Sequence, residues 1–75
     1  MGARRALHSH ELIDILTANG FVFARQKGSH AAYQLRGDGN TRTVIVPIHR
    51  EILKPGTLAS IIRQSGLPSD LFETD

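Results

Sequence analysis

Between residues 25 and 30 the chain reads Arg-Gln-Lys-Gly-Ser-His, a set of side chains suited to handling a phosphodiester. Arg25 and Lys27 supply positive charge. Gly28 lets backbone amides come close to an anion, and Ser29 can donate a hydroxyl hydrogen bond. His30 carries an imidazole, the side chain that exchanges protons near neutral pH. If the anion is an RNA backbone, the nucleophile arrives with it as the 2′-hydroxyl. A base then removes that proton, cations stabilise the charge accumulating on phosphorus, and an acid protonates the leaving 5′-oxygen. His30 can act as the base or the acid. His49, just past a β-branched run, is the second candidate, for proton transfer or for a phosphate contact. By residue type alone, a lone histidine on a half-exposed strand is more often an ordinary surface or packing residue than a catalytic one. His49 is equally a loop residue that caps something local.

Other chemistries fit poorly. Ser29 and His30 are adjacent in sequence, but neighbouring strand residues point to opposite faces, so the imidazole is badly placed to activate the hydroxyl. There is no G-x-S-x-G elbow. Glu11, Asp14, Asp38 and Glu51 show no recurring ligand spacing, and the chain has no cysteine. His8 and His10 form only an i, i+2 pair near a helix end, a weak zinc signal. No metal and no cofactor are expected.

The elements that must position these residues can be read from periodicity. A first helix is predicted to start with Ser9 as N-cap and Glu11 in its first turn. Leu12, Ile13, Ile15 and Leu16 give it one apolar face, and Asn19-Gly20 ends it, Gly20 taking the left-handed position. Phe21 to Arg25 reads as a strand whose two rings, Phe21 and Phe23, face the helices. Gln26-Lys27-Gly28 reads as a tight turn, and Ser29 to Leu35 as a second strand. Its parity sets Ser29, Ala31, Tyr33 and Leu35 on one face and His30, Ala32 and Gln34 on the other. Gly37-Asp38-Gly39-Asn40 has hairpin composition. Thr43 to Ile48 is a β-branched third strand, with Pro47 suited to its end or to an edge. Pro55 opens a second helix with an inward stripe of Leu58, Ile61, Ile62 and Ser65. Gly66 closes it, Leu67 folds back onto it, and Pro68 prevents resumption. Ser69 to Phe72 can add one loose turn.

The expected fold class is therefore α+β in the order α-β-β-β-α, a three-stranded antiparallel sheet with both helices packed on one face. That is also the order of a double-stranded RNA-binding domain, a module that reads shape and phosphates. At 75 residues this is one domain with a thin core, expected over residues 9–72 behind a short basic arm, 1–8. Arg4 and Arg5 in that arm can touch nucleic acid or belong to a patternless leader. The arm lacks the apolar run of a signal peptide and no window reaches transmembrane length, so a cytoplasmic location without membrane contact is expected. The net charge is +2, but Asp70, Glu73 and Asp75 crowd the end. Residues 1–69 carry nine basic against four acidic side chains, a net +5. Such an excess suits a polyanion or simply solubility.

Five runs in fixed order carry a family likeness: Glu11-Leu12-Ile13; Asn19-Gly20-Phe21; Arg25-Gln26-Lys27-Gly28-Ser29-His30; Val44-Ile45-Val46-Pro47-Ile48-His49; and Lys54-Pro55-Gly56-Thr57-Leu58 continuing to Gly66-Leu67. In these the chain resembles the HicA toxin family from residue 9 to about 72. The resemblance implies a small mRNA-cleaving toxin with a double-stranded RNA-binding-domain-like fold that acts without needing the ribosome. It also implies a HicB-type antitoxin as the neutralising partner; the free chain is expected to be a monomer. The family's catalytic histidine, in a Gly-Ser-His motif, falls on His30, with Gly28 and Ser29 matching the rest. His49 matches a frequent but less regular histidine, and Arg25 and Lys27 match commonly basic or polar positions. Arg50 to Pro55 corresponds to a stretch of variable length. The position after the histidine, often large or polar in the family, is Ala31 here, a difference expected to bear on RNA contacts. Two other readings use the same surface: a non-catalytic RNA-binding module, and a protein-interaction module that receives an acidic partner.

Overall fold

The structure, a computed structural model, describes residues 7–37, 39–48 and 52–73. Helix α1 (Ser9–Ala18) is followed by strands β1 (Val22–Lys27), β2 (His30–Gly37) and β3 (Asn40–Pro47), helix α2 (Pro55–Ser65) and a 3-10 turn, Ser69–Phe72. The strands form one antiparallel sheet in the order β1-β2-β3. This is the α-β-β-β-α architecture expected of the sequence.

Both helices cover the same side of the sheet. The Leu12 and Leu16 stripe of α1 and the Leu58, Ile61 and Ile62 stripe of α2 meet Val44 and Val46 of β3 in one buried cluster, and Phe21 completes it. Ser65, also on the inward stripe of α2, is buried and donates its hydroxyl to the Ile62 carbonyl at 2.6 Å. On β2, Tyr33 and Leu35 pack against the cluster.

Helix ends follow the sequence at one terminus of α1 and depart from it at the other. Asn19-Gly20 closes α1, with Gly20 at φ +95°. The Gly20 amide donates to the Thr17 carbonyl at 3.2 Å and the Phe21 amide to the Leu16 carbonyl at 3.0 Å. This Schellman pairing delivers Phe21 into the core next to Leu16. At the start, the N-cap is His8 and not Ser9. Glu11 reaches back to accept from the His8 amide at 2.9 Å. The Ser9 hydroxyl instead donates to the Pro47 carbonyl at 2.6 Å, tying α1 to the end of β3. A tertiary acceptor has displaced the local capping role.

Segments without periodicity also contribute to the core. Leu7 is buried, and its carbonyl accepts from the Leu53 amide at 2.8 Å. The turn at Ser69–Phe72 inserts Phe72 with no exposed surface. Among the described residues no helix is long and apolar enough to cross a membrane.

Candidate nucleic-acid site on the open sheet face

The face of the sheet away from the helices holds the candidate residues, and strand register explains how they meet. Lys27 pairs with His30, which pairs with Pro47. Two residues along, Arg25 pairs with Ala32, which pairs with Ile45. Directly opposed residues in an antiparallel sheet share a face. Arg25, Lys27, His30, Ala32 and Ile45 accordingly line one open cavity of about 270 Å³.

The loop between β1 and β2 is shorter than the sequence suggests. Lys27 belongs to β1, and only Gly28 and Ser29 turn the chain. Gly28 has φ +60° and Ser29 does not share that sign, the pattern of a II′ hairpin turn, in which glycine takes the first central position. A Cβ at Gly28 would meet nothing within 4 Å, so backbone conformation and not crowding calls for glycine. Gln26 donates through Nε2 to the Gly28 carbonyl at 3.0 Å. The Ser29 carbonyl accepts from the Ile48 amide at 2.8 Å, which ties the turn to the end of β3.

Simple alternation along β1 would give Phe23, Arg25 and Lys27 one face. A bulge between Phe23 and Arg25 breaks that parity and leaves Ala24 unpaired. Phe23 stays opposite Tyr33 on the helix side, where the rings meet edge to face at 5.8 Å. Arg25 and Lys27 turn to the open side with His30. Bulges commonly re-aim side chains in this way. The expectation that both phenylalanines cover the helices holds for Phe21 only. Phe23 is 55% exposed, because β1 is an edge strand and the helices sit over β3 at the opposite edge.

His30, Arg25 and Lys27 are exposed, and no described carboxylate forms an ion pair with the two cations or lines their cavity. Ser29 is half-buried in the turn and does not line the cavity. Ala31 is buried opposite Val46 on the helix side. The side chain expected to bear on RNA contacts therefore lies on the helix side of the sheet and does not line the cavity. His49, with Asp38 and Glu51, lies outside the described residues. Among the described residues no three His, Cys, Asp or Glu side chains group as metal ligands. Two apolar residues with no acid–base or charge chemistry of their own, Ala32 and Ile45, also line the cavity. The parity of β2 set Ala32 on the face of His30, but placing Ile45 there required the β2–β3 register.

A family model described as the HicA toxin of bacterial toxin–antitoxin systems matches residues 9–67. The chain belongs to the HicA toxin family. It is thus a toxin of a toxin–antitoxin system, and membership implies an antitoxin partner. The match spans α1, the whole sheet and α2, so it includes every described residue of the open-face cavity. No curated protein matches the chain.

Proposed function

We propose that this HicA-family toxin is an endoribonuclease that cleaves mRNA by metal-independent acid–base catalysis at His30. One observation carries the reading: the imidazole of His30 shares a solvent-open cavity with Arg25 and Lys27, cations that no described acid neutralises. A phosphate seated there meets two positive charges and a proton-transfer group together. The RNA 2′-oxygen loses its proton to a base and bonds to phosphorus. The bond to the 5′-oxygen breaks and that oxygen takes a proton. His30 serves as one of the two proton-transfer groups, and His49 is the proposed partner or phosphate contact. Gly28 and Ser29 shape the turn beside the phosphate. The proposed neutralising partner is a HicB-type antitoxin that covers this cationic face.

The test is incubation of purified protein with labelled single-stranded RNA in the presence of a chelator. Wild type should shorten the RNA and leave a 2′,3′-cyclic phosphate on one product. His30→Ala should stay folded by circular dichroism and lose cleavage by at least about a hundredfold, the scale of a lost general acid or base. Cleavage by His30→Ala at the wild-type rate removes His30 from the chemistry. Salt-sensitive binding without products in the wild type would instead make the domain a non-catalytic RNA-binding module.

A further inference from the structure

We propose that the part of the open-face cavity formed by Ala32 and Ile45 is a nucleobase subsite, which receives one unstacked base of a single-stranded RNA whose phosphate lies at Arg25 and Lys27. The inference rests on the RNA-directed reading above and adds which part of the nucleotide is held, and by what.

The geometry points to a nucleotide. Arg25, Ala32 and Ile45 form one row across all three strands. With neighbouring strands about 4.8 Å apart, that row spans about 10 Å, comparable to the reach of a nucleotide from its phosphate to the far edge of its base. The cations stand on β1 at one end of the row. Ile45, 41% exposed, stands on β3 at the other. Ala32 lies between them as a nearly buried floor, 3% exposed, above which the longer side chains of Arg25, His30 and Ile45 surround the cavity. The cavity, about 270 Å³, is charged on one side and apolar on the other, as a nucleotide is.

The lining also says which form of RNA fits. In a duplex the bases are stacked inside, leaving backbone, 2′-hydroxyls and shallow minor-groove edges. None of these offers a flat apolar face to Ile45, whereas a splayed base in a single strand does. The Phe23–Tyr33 ring pair is on the helix side, so the contact surface is aliphatic. Arg25 and Lys27 are donors only, and apart from the His30 imidazole, assigned above to proton transfer, no side chain that accepts hydrogen bonds lines the cavity. The base is therefore held by its face more than by its edge, which makes the subsite tolerant of sequence. A protein side chain fits the apolar part less well, because that part is only two side chains wide.

The experiment compares two pentamers with identical phosphates: a 2′-O-methyl RNA, which cannot supply the nucleophile, and its abasic counterpart. Binding is measured for wild type, Ile45→Thr and Ala32→Leu, each checked for folding. Wild type should bind the base-bearing pentamer about tenfold more tightly than the abasic one, the effect of taking roughly 50–60 Å² of apolar surface out of water. Ile45→Thr, which keeps a β-branched residue on the strand, should cut that ratio several-fold. Ala32→Leu should bring it close to unity. Equal binding of the two pentamers by wild type, or a wild-type ratio in Ile45→Thr, overturns the subsite and leaves the cavity to a protein partner. Cleavage of unmodified RNA is followed in parallel. Cleavage with an unchanged ratio in the variants sinks the subsite alone. A ratio that falls in the variants without cleavage by wild type keeps the subsite and sinks the nuclease reading.

Discussion

At the scale of single residues, the open face is unusual in what it lacks. Arg25 and Lys27 sit beside His30 with no described acid to neutralise them, so an incoming phosphate meets their full charge. Each cation that contacts a phosphate displaces condensed counterions, which makes binding salt-dependent. Replacing Arg25 or Lys27 by Gln should therefore weaken RNA binding whatever the sequence. It should also lower the slope of log affinity against log salt by about 0.7 per residue, the single-strand value. Titrations at three or more salt concentrations check this. A slope unchanged in both variants would take the two cations out of phosphate contact.

At the scale of elements, the devices that aim these residues are a turn, a bulge and two helix ends. Deleting Ala24 leaves Val22, Phe23, Arg25, Gln26 and Lys27 opposite the same partners on β2 in an unbroken ladder. The variant should fold and keep its RNA affinity, as measured by circular dichroism and a binding titration. A loss of affinity in a folded variant would mean that the extra local twist of the bulge, and not facing alone, sets the site. The end of α2 is less forgiving. Gly66 has φ +70°, and a Cβ there would fall 2.5 Å from the Arg42 guanidinium carbon. Gly66→Ala should cost about 1–2 kcal/mol from the left-handed backbone, read as a shift in urea midpoint. Arg42 is a long side chain that can swing away, so Arg42→Ala should restore little of that loss.

At the scale of the whole molecule, a chain of 75 residues has roughly 4–11 kcal/mol of stability, at about 0.05–0.15 kcal/mol per residue. Its core is a single layer between the helices and the sheet, completed from outside the periodic elements by Leu7, Leu53 and Phe72. Phe72 is the most exposed to mutation of these in energetic terms, being a fully buried aromatic ring on a turn of only four residues. Phe72→Ala should remove about 3–5 kcal/mol, enough to populate the unfolded state under mild conditions. A urea midpoint within experimental error of wild type would show that the 3-10 turn only rests on the domain.

Periodic and punctuating residues determined much of this protein in the sequence alone. The stripe on α2, the glycines that end both helices and the parity of β2 each depend on local spacing. The structure places them as that spacing requires. His30, Arg25 and Lys27 were identifiable as candidates because their chemistry is carried by residue type. What spacing could not reveal was where strands lose step. The bulge at Ala24 exists only relative to β2, and it is what separates Phe23 from Arg25 across the sheet. Ser9 likewise has the chemistry of an N-cap, but its hydroxyl meets the Pro47 carbonyl, a partner distant in sequence. Leu7 and Phe72 belong to no periodic run, so only the assembled core shows them as buried. The Arg25–Ala32 pair and the Ala32–Ile45 floor were decided in the same way, by register, which joins residues that no local pattern connects.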